Sequence, residues 1–436
     1  MGLELVEIAA ALLAVLAIVL VAGLWIGLAL LLCGYVAMSF VTSVPIGSVL
    51  ATTVWSASAS WTLAALPLFI WMGEILFRTR LSEDLFRGIA PWVNRLPGRL
   101  VHVNVIGCGI FGMVSGSSAA TCATIAKIAL PELKKRGYDE SIAIGSLAGS
   151  GTLGLLIPPS ITMIVYAVQA EVSLVQMFLA GFIPGAIVMG LYSGYIAVWS
   201  LLNPSKQPPR EPSMSFVDKV RASASLIPTL LLIVFVFAAL ISGTATATEC
   251  AAWGVFGALV ISWLQGSLTV HSFWDSVMGA MRTTAMIMLI LSGAAFMSAA
   301  MAYTKIPAAV AEGVGSLNLS PVMLIAVLTI FYIILGMFLD GISMIVLTMA
   351  IVLPLVQKAG FDLIWFGIFI VLVVEMAQVT PPVGFNLFVL QSMSGKDSWA
   401  VAWAALPFCL LLVVAVAIIL AFPNLVLFLP RLVFPA

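Results

Sequence analysis

The sequence predicts an all-α integral membrane protein built as an inverted repeat, with about ten membrane-spanning helices and two re-entrant helical hairpins. Three observations predict it. Hydrophobic residues fill 63% of the 436 positions and charged residues only 8%, where a soluble domain carries about 25% charged residues. A set of glycine and proline breaks occurs twice. Pro131, Gly137, Asp139, Pro158-Pro159 and Pro184 recur 223 residues on as Pro354, Gly360, Asp362, Pro381-Pro382 and Pro407. Upstream, Pro97, Gly112 and Thr124 recur 224 residues on as Pro321, Gly336 and Thr348. Finally, 14 of the 18 basic residues fall on one side of the topology these breaks imply. No nucleic-acid partner is expected of such a chain.

The first half is residues 1–202. Met1 to Glu7 carries two glutamates and no basic residue. A cleaved signal needs a positive leader, so the apolar run that follows is read as a retained helix. Apolar runs of spanning length cover 8–22, 24–40 and 61–77. The turn between the first two is placed at Gly23 to Gly27, because the second half has two clear helices at 224–243 and 247–265. Residues 79–99 mix Leu, Phe, Ile and Trp with charges of both signs. That suits an amphipathic arm helix on the membrane surface, with an interfacial loop as the alternative. Region 100–130 is broken at Ser115-Gly116-Ser117-Ser118. Its arms, roughly 12 to 18 residues, are too short for a core of about 30 Å, so it reads as a re-entrant hairpin. A broken span at 141–168 and a span at 176–200 complete the half.

Residues 203–223 are polar and proline-rich and form the linker. The second half, 224–436, adds a span at 283–302, a hairpin at 322–353 broken at Asp340-Gly341-Ile342-Ser343, a broken span at 363–392 and a last span at 399–428.

Lysine and arginine orient the chain. Arg78, Arg80, Arg87, Arg95 and Arg99 precede the first hairpin, and Lys134, Lys135 and Arg136 follow it. Both flanks are basic, hence cytoplasmic. Lys305, Lys358 and Arg431 fall outside, and Lys127 lies in a hairpin arm. The N-terminus is then periplasmic. An odd number of crossings separates equivalent points, so the repeats are inverted, as in alternating-access transporters. The five cysteines and two histidines show no metal-ligand spacing and read as structural.

The breaks have chemical consequences. Proline lacks an N–H and clashes with the carbonyl four residues back. Pro158-Pro159 thus frees the carbonyls of Gly154 and Leu155, and Pro381-Pro382 those of Ala377 and Gln378. Bare carbonyls in lipid cost several kcal/mol, and a bound Na⁺ held by unwound backbone and hydroxyl oxygens relieves that cost. Ser115, Ser117 and Ser118 at the first tip supply more oxygens. A packing kink satisfied by nearby Ser or Thr is the plainer alternative. The second arm of each hairpin starts mid-membrane, so its positive dipole end can hold a carboxylate. Glu74, Asp340 and Glu375 fall inside apolar spans, where carboxylates are functional by default. Asp340 and Glu375 are placed around the second ion site. Glu74, near a helix end, is as readily explained by a structural hydrogen bond.

The runs ALPLFIWMGEIL (65–76), GMVSGSSAAT (112–121), LPELKKRGYD (130–139), GTLGLLIPPSITMIVYA (151–167), FLDGISMIVLTMAIVLP (338–354) and QVTPPVGFNLFVLQ (378–391) resemble the large membrane subunit of TRAP (tripartite ATP-independent periplasmic) transporters. The resemblance covers essentially the whole chain. It implies an elevator-type protein of the bacterial inner membrane, with no enzymatic activity and no organic cofactor. A transport domain would carry a small organic acid together with two or more sodium ions. The acid would arrive on a periplasmic substrate-binding protein, and a small four-helix membrane subunit would complete the complex. No four-helix segment precedes residue 8, so that subunit is expected as a separate chain. By motif, sodium site one would involve Ser115, Ser118, Gly154 and Ile157. Site two would involve Asp340 or Gly341, Ala377 and Thr380. Substrate would lie near Ser117, Thr152, Ser343 and Asn386.

Two departures stand out. Ala120 and Thr121 follow the first tip where many relatives carry an acidic residue, and Lys127 replaces a small residue. Substrate preference is therefore not copied from sialic-acid or dicarboxylate members. A stand-alone sodium/carboxylate transporter of related fold is the alternative function. An intramembrane serine protease is disfavoured, because no His or Lys base is placed near the tip and no H-E-x-x-H motif occurs.

Overall fold

The chain turns at Gly23, whose φ of +79° is open to glycine, so α1 (Leu3–Val21) and α2 (Ile26–Val41) are separate helices. The computed structural model describes residues 3–78, 81–209, 214–316, 319–337, 339–381 and 384–434, and every regular element among them is helical. Arg80, Arg210 and Pro382 lie outside the described residues. After α2 come α3 (Ile46–Ser58), α4 (Trp61–Phe77) and α5 (Leu81–Val93). The first hairpin is α6 (Val101–Ser115) and α7 (Ser118–Lys135). It reverses at Gly116, φ +59°, and Ser117 caps α7. The first broken helix comprises α8 (Glu140–Gly151), α9 (Leu153–Leu156) and α10 (Ile161–Gln169), with a bend of 43° at the prolines. The long α11 (Leu174–Leu202) ends the half.

A short α12 (Phe216–Ser223) lies in the linker. The second half continues with α13 (Ile227–Ile241), α14 (Ala247–Leu264), α15 (Val270–Thr304) and α16 (Ile306–Ser316). Its hairpin is α17 (Pro321–Gly336) and α18 (Gly341–Lys358), and its broken helix is α19 (Leu363–Gln378) and α20 (Phe385–Ser394). The chain closes with α21 (Ser398–Ala421) and α22 (Asn424–Val433).

Several expectations need correcting. The span expected at 283–302 is the C-terminal part of a 35-residue helix, and the span expected at 399–428 is two helices parted at Pro423. Helices α3 and α16 were not expected. Among the described residues six helices are long and apolar enough to cross a membrane, or up to eight if each bent pair is one span. Helices α2 and α19, apolar but only 16 residues each, fall short of that length.

Packing divides the helices into two bodies. Helices α2, α3, α4, α13, α14 and α15 pack mainly on one another, while α6 to α11 and α17 to α22 form the second body. The broken helices are its core: every residue from Trp365 to Gln378 is buried, as is every residue from Ile142 to Gly151. Lipid is as apolar as leucine, so close backbone packing rather than water exclusion holds such helices together. Glycines permit it here. A Cβ on Gly149 would stand 2.6 Å from the Cβ of Phe408 on α21.

Two short helices bridge the bodies. Helix α5 packs on α6 and α7 and is held from behind by α12. Trp92 Nε1 donates to Ser223 Oγ (2.9 Å), and Ser223 Oγ donates to the Gly88 carbonyl (2.8 Å). Helix α16 packs on α18 and α15. At the basic end of the second body, Glu140 pairs with Lys396 (2.6 Å) and Lys134 (2.9 Å). One carboxylate thus ties the first hairpin to both broken helices. The two ammonium groups, Lys396 foremost, hold the Glu140 carboxyl below its ordinary range.

Candidate ion- and substrate-binding site

The two hairpin tips meet at one cavity of about 460 Å³. Ser115, Gly116, Ser117 and Ser118 line it from the first tip, and Asp340 and Gly341 from the second. Leu155, Thr162 and Gln378 of the broken helices close one side. Glu74 and Phe77 of α4, with Thr283 and Met286 of α15, close the other. The cavity therefore lies between the two bodies. No lysine, arginine or histidine is among its described lining residues.

At the first tip, Ser115 Oγ lies 2.6 Å from Thr121 Oγ1 and 3.3 Å from the Ser117 carbonyl. Gly154 faces this group so closely that a Cβ would stand 2.6 Å from Thr121 Oγ1 and 2.8 Å from the Ser117 oxygen. Gly112 crosses Gly154 equally closely, its Cβ position being 2.9 Å from the Gly154 Cα. Tip and break are thus in backbone contact, with three oxygens gathered at one point. Thr121 belongs to this group and was not among the expected ligands. Its place one turn after the Ser118 start of α7 was the available signal. Ser118 points elsewhere, donating to Asn386 Oδ1 (2.9 Å). Leu155 lines the cavity. The Ile157 side chain packs near Gly109 and Gly185, so only its backbone is free to serve an ion.

The second tip repeats the arrangement with different chemistry. Gly336, the partner of Gly112, packs on Ala377, the partner of Gly154. Gly341 packs on Val374, with Gln378 Nε2 3.7 Å from its Cβ position. Asp340 caps α18, accepting from Ile342 N (3.1 Å) and Ser343 N (3.3 Å) and from the Ser343 hydroxyl. Such a cap satisfies the first-turn N–H groups. The expectation that the break bares the Ala377 carbonyl needs correction: it accepts from Thr380 N at 3.3 Å, as the chain tightens before Pro381. Thr380 Oγ1 donates to the Met376 carbonyl (2.6 Å). The Gln378 and Thr380 carbonyls crowd Gly384, at 2.8 and 2.9 Å from its Cβ position.

Of the four residues expected to touch substrate, Ser117 alone is among the described cavity lining. Thr152, Ser343 and Asn386 have no exposed surface. Thr152 Oγ1 donates to the Gly149 carbonyl (2.7 Å), and Asn386 Nδ2 to the Ala148 carbonyl (3.3 Å). Asn386 therefore joins the second broken helix to the first. Glu375 is likewise fully buried and away from the cavity. Glu74 lines the cavity and also accepts from Arg78 (3.1 Å).

Comparison with known proteins agrees with this architecture. Residues 13–425 match the DctM component of the tripartite ATP-independent periplasmic transporters. The chain is 32% identical over 383 residues to the C4-dicarboxylate TRAP transporter large permease protein DctM of Pseudomonas aeruginosa, covering 88% of this chain and 89% of that one. It is 28% identical to the ectoine/5-hydroxyectoine TRAP transporter large permease protein UehC of Ruegeria pomeroyi, over 85% of this chain and 86% of that one. The isethionate TRAP transporter permease protein DctMQ of Oleidesulfovibrio alaskensis matches 94% of this chain at 29% identity, over 65% of its own length. In fold, the chain resembles the YdaH transporter of Alcanivorax borkumensis, with a TM-score of 0.66 at 11% identity over 92% of this chain and 98% of that one. With tips, breaks and repeat in place along its length, the chain belongs to the TRAP transporter family as a large membrane subunit, a transporter component rather than an enzyme.

Proposed function

We propose that this chain performs sodium-coupled uptake of a small organic acid across the bacterial inner membrane by an elevator mechanism. One observation carries the reading: both hairpin tips and both broken helices converge on a single cavity wedged between two packed bodies. Large permeases of this family work with a small membrane subunit and a substrate-binding protein. Relatives named for C4-dicarboxylates and sialic acid point to carboxylate cargo.

The chemistry follows from the lining. A carboxylate needs a positive field, and the described lining offers no basic side chain. The N-termini of α7 and α18 offer dipole ends at the tips. Sodium ions, as co-transported cargo, supply the rest of the charge. Ser115, Thr121 and the Ser117 and Gly154 backbone form one oxygen-rich site, and Asp340, Gly341, Gln378 and Thr380 the other. Ion binding then draws each tip onto its broken helix and closes the cavity around the acid. The second body slides past the scaffold while α5 and α16 flex at the boundary.

The test is uptake into proteoliposomes containing this chain and its small subunit. With the cognate binding protein outside, an inward sodium gradient should drive accumulation, and collapsing the gradient should abolish it. Accumulation indifferent to sodium contradicts the coupling. Accumulation by this chain alone, with no binding protein, favours the stand-alone transporter instead.

A further inference from the structure

The two broken helices resume differently at the cavity. Thr162 stands in the first turn of α10, and its counterpart 223 residues on is Phe385, the first residue of α20. Both line the cavity. Thr162 is 1% exposed, and among the described residues its hydroxyl has no hydrogen-bond partner. Phe385 keeps half of its surface exposed. The contrast extends to the neighbours. Among the described lining residues, every hydroxyl of the second body comes from the first repeat: Ser115, Ser117, Ser118 and Thr162. The second repeat contributes Ile342 and Phe385, besides the Asp340, Gly341 and Gln378 assigned to the second ion.

A buried hydroxyl without a partner is costly, and a ligand oxygen that accepts its proton relieves the cost. The first tip reaches this point, since Ile161 N donates to the Gly116 carbonyl at 3.4 Å. A cargo carboxylate between Ser117 and Thr162 accepts from both hydroxyls and meets the start of α7. The other end of the cargo then falls to an aromatic ring and a branched aliphatic chain. These reward apolar surface and penalise polar groups brought against them. We propose that Thr162 and Phe385 set the cargo class: a monocarboxylate whose remaining part is apolar, with its carboxylate at Thr162 and its apolar part on Phe385. The proposal narrows the organic-acid reading above and rests on it.

The test measures dissociation constants of labelled phenylacetate, butyrate, succinate and gluconate. It uses the full-length chain with its small subunit in lipid nanodiscs, at saturating sodium. No binding protein is added, so its own selectivity does not enter. Phenylacetate and butyrate should bind about tenfold more tightly than succinate and gluconate, and Phe385→Ser should erase that preference. Phe385→Leu keeps an apolar side chain and decides the matter if Phe385→Ser does not fold: it should weaken phenylacetate and leave butyrate near wild type. Thr162→Val should weaken all four acids alike by about tenfold, with Thr162→Ser restoring them. Succinate or gluconate binding as tightly as phenylacetate in wild type overturns the proposal and leaves the organic-acid reading standing. So does an undiminished preference in folded Phe385→Ser, or wild-type affinities in Thr162→Val. Neutral phenylacetamide binding as tightly as phenylacetate overturns both.

Discussion

Gly154 stands where even a methyl group has no room, 2.6 Å from Thr121 Oγ1 and 2.8 Å from the Ser117 oxygen. Gly154→Ala should push the first tip off its broken helix. Overpacking of this kind costs about 1–3 kcal/mol. In nanodiscs the variant should melt lower, and added sodium should stabilise it less than wild type. Undiminished stabilisation by sodium would speak against an ion at that contact. Asn386 calls for a different outcome. Asn386→Leu orphans the Ala148 carbonyl and strips the Ser118 hydroxyl of its acceptor, at about 1–3 kcal/mol per orphaned group. The expected result is lost stability with substrate affinity kept by the protein that remains folded. A pure affinity loss would restore Asn386 to the substrate site. The family motif 378–391 implied the substrate role, but a motif does not say which helix face meets the cavity. Thr121 was overlooked for the same reason.

At the scale of elements, hairpins and breaks were legible because glycine and proline act locally, through φ and a missing N–H. Helix α3 and the first turns of α15 were not, because hydropathy cannot see helices rich in Ser, Thr and charge, and α16, with 11 residues and two glycines, is too short to read as a span. The 224-residue offset would have found α16, the counterpart of the expected arm: α5 begins at Leu81 and α16 at Ile306. The basic-side tie at Glu140 makes a prediction of its own. Lys396 and Lys134 depress its carboxyl from 4.5. Its contribution to stability is therefore fully present above about pH 4.5, the unfolded value, and is lost as pH falls through the lower folded value. Glu140→Gln should therefore lower stability slightly at neutral pH, and the gap from wild type should close as pH falls through the lower folded value. An equal acid sensitivity in the variant would remove this tie from the account. Its solvent exposure keeps the effect small.

For the whole molecule, what matters is where one body rests on the other. A Cβ on Gly73, near the basic end of α4, would stand 2.5 Å from the Val114 carbonyl and 3.5 Å from the Ser115 Cα. The first tip therefore sits against the basic end of the scaffold, which is the cytoplasmic end if positive charge lies inside. Gly73→Val should disfavour this position. Labelling of Ser117→Cys by an impermeant thiol reagent applied from the cytoplasmic side should fall severalfold; equal labelling would mean that Gly73 does not limit the position of the tip. On the proposed reading, two copies of one sequence device became two ion sites around one cargo. The most direct test is the sodium dependence of uptake in Ser115→Ala and Thr380→Ala. Each should need severalfold more sodium for half-maximal uptake, with both copies contributing. A sodium dependence unchanged from wild type in both variants would contradict the account.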